Sequence, residues 1–253
     1  MTVNNLYDIL TARIPEELRE SWDNDGKMCV PDPDRTVRRV IVTLDVTEEV
    51  VDYAIENGFD LIVSHHPLIF RPLRAMDADE PVARKLIKLI GAQIAVLSFP
   101  TRADRVAGGV NDLLAESLDL AHVVPFGEGG LGRIGELDEE MPLDEFAFVL
   151  KEQLAVPRVL LADGYTPVRR VAVVGGDGKD YLSAAIEAGA DTFVSGRLGY
   201  NTMEEAAERG INLVEAGHYY TEQRVSELFG TIIAEAVPEA VVETVDSNML
   251  RLF

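Results

Sequence analysis

The sequence has one cysteine, few basic residues and no long apolar run. The lone Cys29 excludes an internal disulfide and a metal site built from several cysteines. Only 23 Lys and Arg oppose 44 Asp and Glu, so the formal charge is −21 and the basic surface that a general nucleic-acid binder needs is missing. No run of about 18 apolar residues and no signal-peptide pattern is present. We therefore expect a cytoplasmic protein without a membrane span.

The composition indicates a folded protein with an acidic surface. Apolar residues make up 47% of the chain and charged residues 26%, which argues against disorder. The excess of acids, together with 18 Arg against 5 Lys, favours a halophilic protein, because molar salt shortens the Debye length to roughly 3 Å and screens the self-repulsion. An ordinary acidic cytosolic protein is the alternative. We expect Cys29 to be a buried, inert thiol.

A strand–helix–strand pattern occurs twice in the chain. Residues 37–70 align without a gap on residues 168–201, with 12 identities in 34 positions. The pattern predicts an α/β fold of two similar lobes that arose by internal duplication, with mostly parallel sheets flanked by helices. We place the lobes at residues 1–126 and 127–253, joined through the Gly-rich, acidic stretch 127–140. The lobes are expected to form one compact unit with the site between them. The general pattern of strand–helix–strand units is the alternative to a duplication.

Histidines follow two of the predicted strands. His65 and His66 come directly after the strand at 61–63, and His218 follows the strand at 211–214, four residues before Glu222. Ligands bind at the carboxyl ends of strands in parallel sheets. Imidazole and carboxylate groups together suit zinc, manganese, iron or nickel. For either motif alone, structural histidines are the alternative. The remaining His122 is expected to be an ordinary surface or packing residue.

A third strand end carries weaker signals. Asp104 follows the predicted strand at 94–97, but taken alone it is one of many acids in this chain. Gly108 and Gly109 precede an apolar helix and predict a turn and helix start. A backbone cradle for an anion is the alternative for this glycine pair.

These motifs resemble the NIF-three-like family, whose members are also called GTP cyclohydrolase I type 2 homologues or dinuclear metal-centre proteins. The resemblance runs nearly end to end in the family's short form, and the segments that carry it best are Trp22-Asp23-Asn24-x-Gly26, residues 60–70 and Gly217-His218-Tyr219-x-x-Glu222. It implies the NIF-three-like fold, a ring-shaped homohexamer and two divalent ions (Zn, Fe, Mn or Ni) bridged by Glu222. The five ligands that it implies are all present: His65, His66, Asp104, His218 and Glu222.

Three positions depart from the pattern of the family. Pro100-Thr101-Arg102 stands where the family usually has His-Thr-Asn, Arg197 stands where it has an acid, and Asn201 where it often has a histidine. We interpret Thr101, Arg102 and Arg197 as substrate-binding residues, because arginine makes bidentate contacts with phosphate or carboxylate. A weakened or altered site is the alternative.

The resemblance points to a metal-dependent hydrolase that acts on a small-molecule substrate, one with an anionic group if the arginines bind it. GTP cyclohydrolase activity follows from the family label alone, since neither a P-loop nor another guanine-binding motif is present. Two other functions stay open. One is a non-catalytic ring that stores, inserts or senses a metal, and the other is a structural α/β protein with accidental histidines.

Overall fold

The computed structural model describes residues 1–250, and they divide into two compact α/β units. The first unit consists of residues 1–106 and 225–250, and the second of residues 107–224. The duplication predicted a boundary at 126/127 instead, with a second lobe whose last residues, 251–253, lie outside the described residues. Within residues 1–250, no helix is both long enough and apolar enough to span a bilayer.

The first unit contains a five-stranded sheet in the order β1-β4-β3-β2-β11, with elements numbered along the whole chain. Strand β1 is antiparallel to β4, and the other neighbours are parallel. The strands are β1 Gly26–Cys29, β2 Arg39–Thr43, β3 Leu61–Ser64, β4 Ala95–Ser98 and β11 Val241–Thr244. The helices are α1 Val3–Arg13, α2 Glu48–Glu56, α3 Pro81–Ala92, α4 Thr101–Arg105 and α10 Val225–Ala236.

The second unit contains a six-stranded sheet in the order β5-β6-β8-β9-β10-β7. The strands are β5 Ala121–Phe126, β6 Gly132–Met141, β7 Leu160–Ala162, β8 Val168–Asp177, β9 Thr192–Arg197 and β10 Asn212–Glu215. The helices are α5 Val110–Ser117, α6 Leu143–Gln153, α7 Leu182–Glu187, α8 Tyr200–Glu208 and α9 His218–Glu222. The α/β class is confirmed, but the sheets are mixed, because only the pairs β8–β9 and β9–β10 are parallel here. Most of the predicted connecting stretch 127–140 forms β6.

Local sequence signals account for the helix ends near the site. Helix α2 begins after Thr47, whose Oγ1 accepts a hydrogen bond from the Val50 amide at 3.2 Å. Gly58, with φ +65°, ends the helix in the left-handed conformation that a glycine adopts without strain. Helix α5 begins directly after Gly109, as the glycine pair predicts.

Apolar side chains cover both faces of the central strands. In β8, Val171 and Val173 belong to one core, whereas Ala172 and Val174 belong to the core on the other face. Successive side chains of a strand point to opposite faces, so such a strand needs a continuous apolar run. In the first unit, the buried Ile41 packs in a core with residues of α2 and α3. The apolar runs of the sequence therefore indicate strands that are buried on two faces.

The internal duplication has a structural counterpart in both units. The carboxylate of Asp60 accepts hydrogen bonds from the backbone amides of residues 38–39, at 2.9 and 3.1 Å. At the aligned positions, the carboxylate of Asp191 accepts from the amides of residues 169–170. Strands β2 and β3 also pair in the same register as β8 and β9. The two copies therefore share local contacts as well as the order of their elements.

Candidate metal centre

The end of β3 and the helix that follows β4 bring three predicted ligands together in the first unit. His65 is 2% exposed, and its Nε2 lies 3.5 Å from Oδ1 of Asp104 in α4. The rings of His65 and His66 have centroids 4.9 Å apart. Strands β3 and β4 are parallel neighbours, so the residues after them leave the sheet at the same edge. This topology explains why residues almost forty positions apart in sequence meet.

Asp45 is a functional candidate that the sequence reasoning missed. Its Oδ1 lies 2.8 Å from Nδ1 of His66, and its backbone amide donates to Oγ of Ser247 at 3.0 Å. A carboxylate on one ring nitrogen of a histidine fixes the ring and raises the basicity of the other nitrogen. Asp45 follows β2, the parallel neighbour of β3, so its place at a strand end was the signal that could have identified it.

Thr101, predicted to bind substrate, is buried at the start of α4. Its hydroxyl donates to Oδ2 of Asp23 at 2.7 Å and accepts from the backbone amide of Glu20 at 3.0 Å. The Thr101 amide donates to the same Asp23 carboxylate oxygen. These contacts attach the helix that carries Asp104 to the segment before β1.

Arg102 is fully buried and has partners inside the first unit. Its guanidinium forms an ion pair with the buried carboxylate of Asp25, and Nη1 donates to the carbonyl oxygen of Ile14 at 3.0 Å. The same group lies over the ring of Phe99, 4.8 Å from the centroid. Arg102 therefore has a structural role in holding α4, and a substrate contact by Thr101 or Arg102 stays a prediction.

In the second unit, α9 presents the other two predicted ligands. Nε2 of His218 lies 3.0 Å from Oε2 of Glu222, one helical turn away, as the i, i+4 spacing predicts. Glu222 is 5% exposed, whereas the side chain of His218 is 45% exposed. The helix begins three residues after β10 ends, at a strand end where the sequence predicted metal ligands.

Glycines at the ends of β8 and β9 make room for this helix. A Cβ on Gly176 would collide with Oε1 of Glu222, and the φ of Gly176 is +67°. A Cβ on Gly196 would lie 2.7 Å from the Cα of His218 and 2.7 Å from Oγ1 of Thr221. The sequence reasoning did not assign these glycines a role, although both stand at strand ends. They allow the backbone of the sheet to approach the His218–Glu222 pair.

Of the remaining sequence candidates, two are exposed and one is buried. Arg197 is exposed at the end of β9, at the position that aligns with His66, and its contact with substrate stays a prediction. His122 is exposed in β5, as expected for a surface residue. Cys29 is buried, and burial raises the pKa of its thiol to about 11. This thiol is therefore protonated at neutral pH and unsuited to nucleophilic catalysis.

The donor atoms of both units fit a divalent metal. The first unit offers two imidazoles and a carboxylate, and the second offers one of each. Nitrogen and oxygen donors of this kind suit zinc, manganese, iron and nickel. His65 and Glu222 are both buried, and each has a potential metal-binding side chain beside it, Asp104 at 3.5 Å from His65 and His218 at 3.0 Å from Glu222.

The fold and these donors define a class of protein, a mixed α/β protein with histidine and carboxylate side chains suited to a metal. Residues 1–250 match the family model of DUF34/NIF3 (NGG1p interacting factor 3), and the chain belongs to this family. The resemblance seen in the sequence is therefore confirmed.

Relatives and solved structures agree with this assignment. A Clostridium perfringens protein named GTP cyclohydrolase 1 type 2 homolog is 33% identical over 98% of this chain and 94% of its own length. A Streptomyces coelicolor protein with the same name is 36% identical over 89% of this chain and 83% of its own. The crystal structure of a Staphylococcus aureus hypothetical protein has a TM-score of 0.90 and 27% identity, covering 100% of this chain and 99% of that one.

Proposed function

We propose that the protein is a metal-dependent hydrolase that uses two divalent ions, with Zn, Fe, Mn and Ni as the candidates. The ligands would be His65, His66 and Asp104 from the first unit with His218 and Glu222 from the second. The observation that carries the proposal is a set of three residues, His65, His66 and Glu222, that could together hold a metal ion. The five-ligand, two-ion form extends this set by the two residues that lie 3.5 and 3.0 Å from its members.

The residues around the proposed ligands would have different roles. Asp45 holds the ring of His66 through Nδ1, which leaves Nε2 to act as the ligand atom. The contacts of Thr101 and Arg102 hold α4 in place, so Asp104 is presented from a fixed helix. When bound, two divalent ions lower the pKa of a water molecule and polarise a substrate oxygen. Exposed Arg197 would attract an anionic group of the substrate.

Metal content is the first test. The purified full-length protein is loaded with Zn²⁺, Mn²⁺, Fe²⁺ or Ni²⁺ in turn, freed of excess ion and measured by elemental analysis. We expect two ions per chain, and loss of metal in Glu222→Gln with the fold retained by circular dichroism. Glu208→Gln, which removes an exposed carboxylate from α8, is the matched control. Less than about one ion per chain after loading would contradict the dinuclear site.

Activity is the second test, and it separates two functions. Each loaded form is screened against nucleotides, phosphoesters and cyclic amides, with His218→Ala and His122→Asn as the variant and its control. Asn suits the control because His122 has φ +54°, a conformation that asparagine tolerates. Turnover that His218→Ala abolishes supports the hydrolase. Stable metal binding without turnover on any of these substrates would favour the non-catalytic ring scaffold.

The prediction of a homohexamer rests on the family resemblance and needs a separate test. Light scattering on the native protein is expected to give the mass of six chains of 27.8 kDa. The mass of a single chain over the whole concentration range would contradict the homohexamer.

A further inference from the structure

Two large aromatic side chains of the first unit are exposed beside each other. Trp22 is 65% exposed and Phe70 is 53% exposed, and their ring centroids lie 6.4 Å apart in an edge-to-face arrangement. Aromatic side chains of this size usually contribute to cores and interfaces, where they bury much of their surface. An exposed pair of such side chains therefore indicates a binding surface.

One member of the pair lies on a loop that carries candidate ligands, and the other lies on a segment hydrogen-bonded to that loop and to α4. Phe70 is four residues after His66, on the same loop. Nδ2 of Asn24 donates to the carbonyl oxygen of Ile69, which joins the segment of Trp22 to the segment of Phe70. Asp23, next to Trp22, accepts the two hydrogen bonds from Thr101 at the start of α4. The aromatic pair is thus connected to both elements from which the first unit presents metal ligands.

Two exposed arginines follow Phe70 within four residues. Arg71 and Arg74 lie on the same exposed loop, and within residues 1–250 neither guanidinium has a hydrogen-bond or ion-pair partner. Unpaired arginines are notable in a chain with a formal charge of −21, where acidic partners are abundant. Arginine binds phosphate and carboxylate groups in a bidentate manner.

We propose that Trp22 and Phe70 bind a planar heteroaromatic ring of the substrate, and that Arg71 and Arg74 bind an anionic group attached to that ring. Stacking on aromatic side chains suits any flat ring, and the adjacent cations select rings that carry a phosphate or carboxylate. The proposal rests on the proposed function only in naming the ligand a substrate. It adds to that function a recognition surface and a substrate class.

The tryptophan makes the test direct, because Trp22 is the only one in the chain. Metal-free full-length protein is titrated with AMP, which has both a ring and a phosphate, while the emission of Trp22 is followed with excitation at the red edge of its absorption. Free N-acetyltryptophanamide, titrated in parallel, corrects for light absorbed by AMP. We expect saturable quenching by AMP and at least about 10-fold weaker effects of adenosine and of ribose 5-phosphate, since each lacks one of the two contacts.

Variants assign the contacts to side chains. Phe70→Ala is expected to weaken AMP binding about 10-fold. The double variant Arg71→Gln/Arg74→Gln is expected to weaken it about 10-fold and to flatten its salt dependence. Tyr200→Ala and Arg209→Gln, which alter an exposed aromatic and an exposed arginine of α8 and its end, are the matched controls and should bind AMP as the parent does.

The outcomes separate this inference from the proposed function. The absence of saturable quenching by AMP, or equal quenching by ribose 5-phosphate, would overturn the inference. Trp22 emission that changes with protein concentration and not with AMP would also overturn it, because a second copy of the chain would then cover the pair. If the protein binds AMP but takes up no metal, the inference about this surface is supported and the proposed hydrolase function is contradicted. If it takes up two ions per chain but does not bind AMP, the dinuclear site is supported and the inference about this surface is contradicted.

Discussion

The buried ion pair between Arg102 and Asp25 supplies a prediction about how the first unit is stabilised. The side chain of Arg102 is fully buried and that of Asp25 is 3% exposed, so removing either partner leaves the other charge in a poorly solvated place. Loss of one partner of a buried pair costs about 3 to 5 kcal/mol. The two single variants should differ within this range, because their remaining contacts differ.

Arg102→Met leaves Asp25 with one further cation. Nη1 of Arg19 lies 3.2 Å from Oδ1 of Asp25, and the Arg19 side chain is 47% exposed, so this variant is expected to cost about 3 kcal/mol. Asp25→Asn leaves the Arg102 guanidinium with an uncharged neighbour and the carbonyl oxygen of Ile14, and we expect about 4 kcal/mol. The double variant should cost less than the sum, with a coupling of about 1 to 3 kcal/mol.

The assay is urea unfolding followed by the emission of Trp22, three residues before Asp25. The midpoints of the parent, the two single variants and the double variant give the free energies of unfolding for the cycle. Arg209→Met, which breaks an exposed i, i+4 pair with Glu205, should cost no more than about 0.5 kcal/mol and serves as the control. A cost below about 1 kcal/mol for both single variants, or strict additivity in the double variant, would refute the reasoning.

The remaining predictions concern the glycine cradle, the thiol and the acidic surface. Gly176→Ala should weaken metal binding at least about 10-fold, because its new Cβ displaces the carboxylate of Glu222. Gly58→Ala is the control, since Gly58 has nearly the same φ and no atom lies within 4 Å of the new Cβ. Equal metal affinities of the two variants would contradict this prediction. Raising the pH from 9 to about 11 should lower the free energy of unfolding, because the folded state keeps the Cys29 proton that the unfolded chain, with an ordinary pKa of 9.0, releases; Cys29→Ala should remove that part of the pH dependence. If the protein is halophilic, KCl in the molar range should raise its Tm, and a Tm that falls or stays constant from low to molar KCl would point to an ordinary acidic protein.

The central strands and the paired motifs were predictable because they depend on local sequence. Continuous apolar runs predicted β2, β3 and β4, and the i, i+4 spacing predicted that His218 and Glu222 would meet. The aligned copies predicted a repeated strand–helix–strand pattern, and the structure adds that its two parallel strand pairs share one register. These features follow from side-chain periodicity and from chain order alone.

The features that the sequence did not predict depend on contacts between distant segments. The stretch 127–140 has the glycines and acids of a linker, yet most of it forms β6, because its neighbours β5 and β8 satisfy its backbone groups. The roles of Arg102 and Asp45 depend on partners that lie far away in sequence, Ile14 and Ser247 among them. The ion pair between Arg102 and the buried Asp25 could not be inferred from sequence spacing, and the predicted contact of Arg102 with substrate stays a prediction.

The course of the chain through the two units has a consequence for biosynthesis. Residues 107–224 form a contiguous unit, so all six strands of its sheet have been made once the ribosome passes β10. The first unit, which starts at the N-terminus, still lacks α10 and the edge strand β11 at that moment. The first unit is therefore the last to have its complete set of elements, and β2 keeps an open edge until β11 emerges.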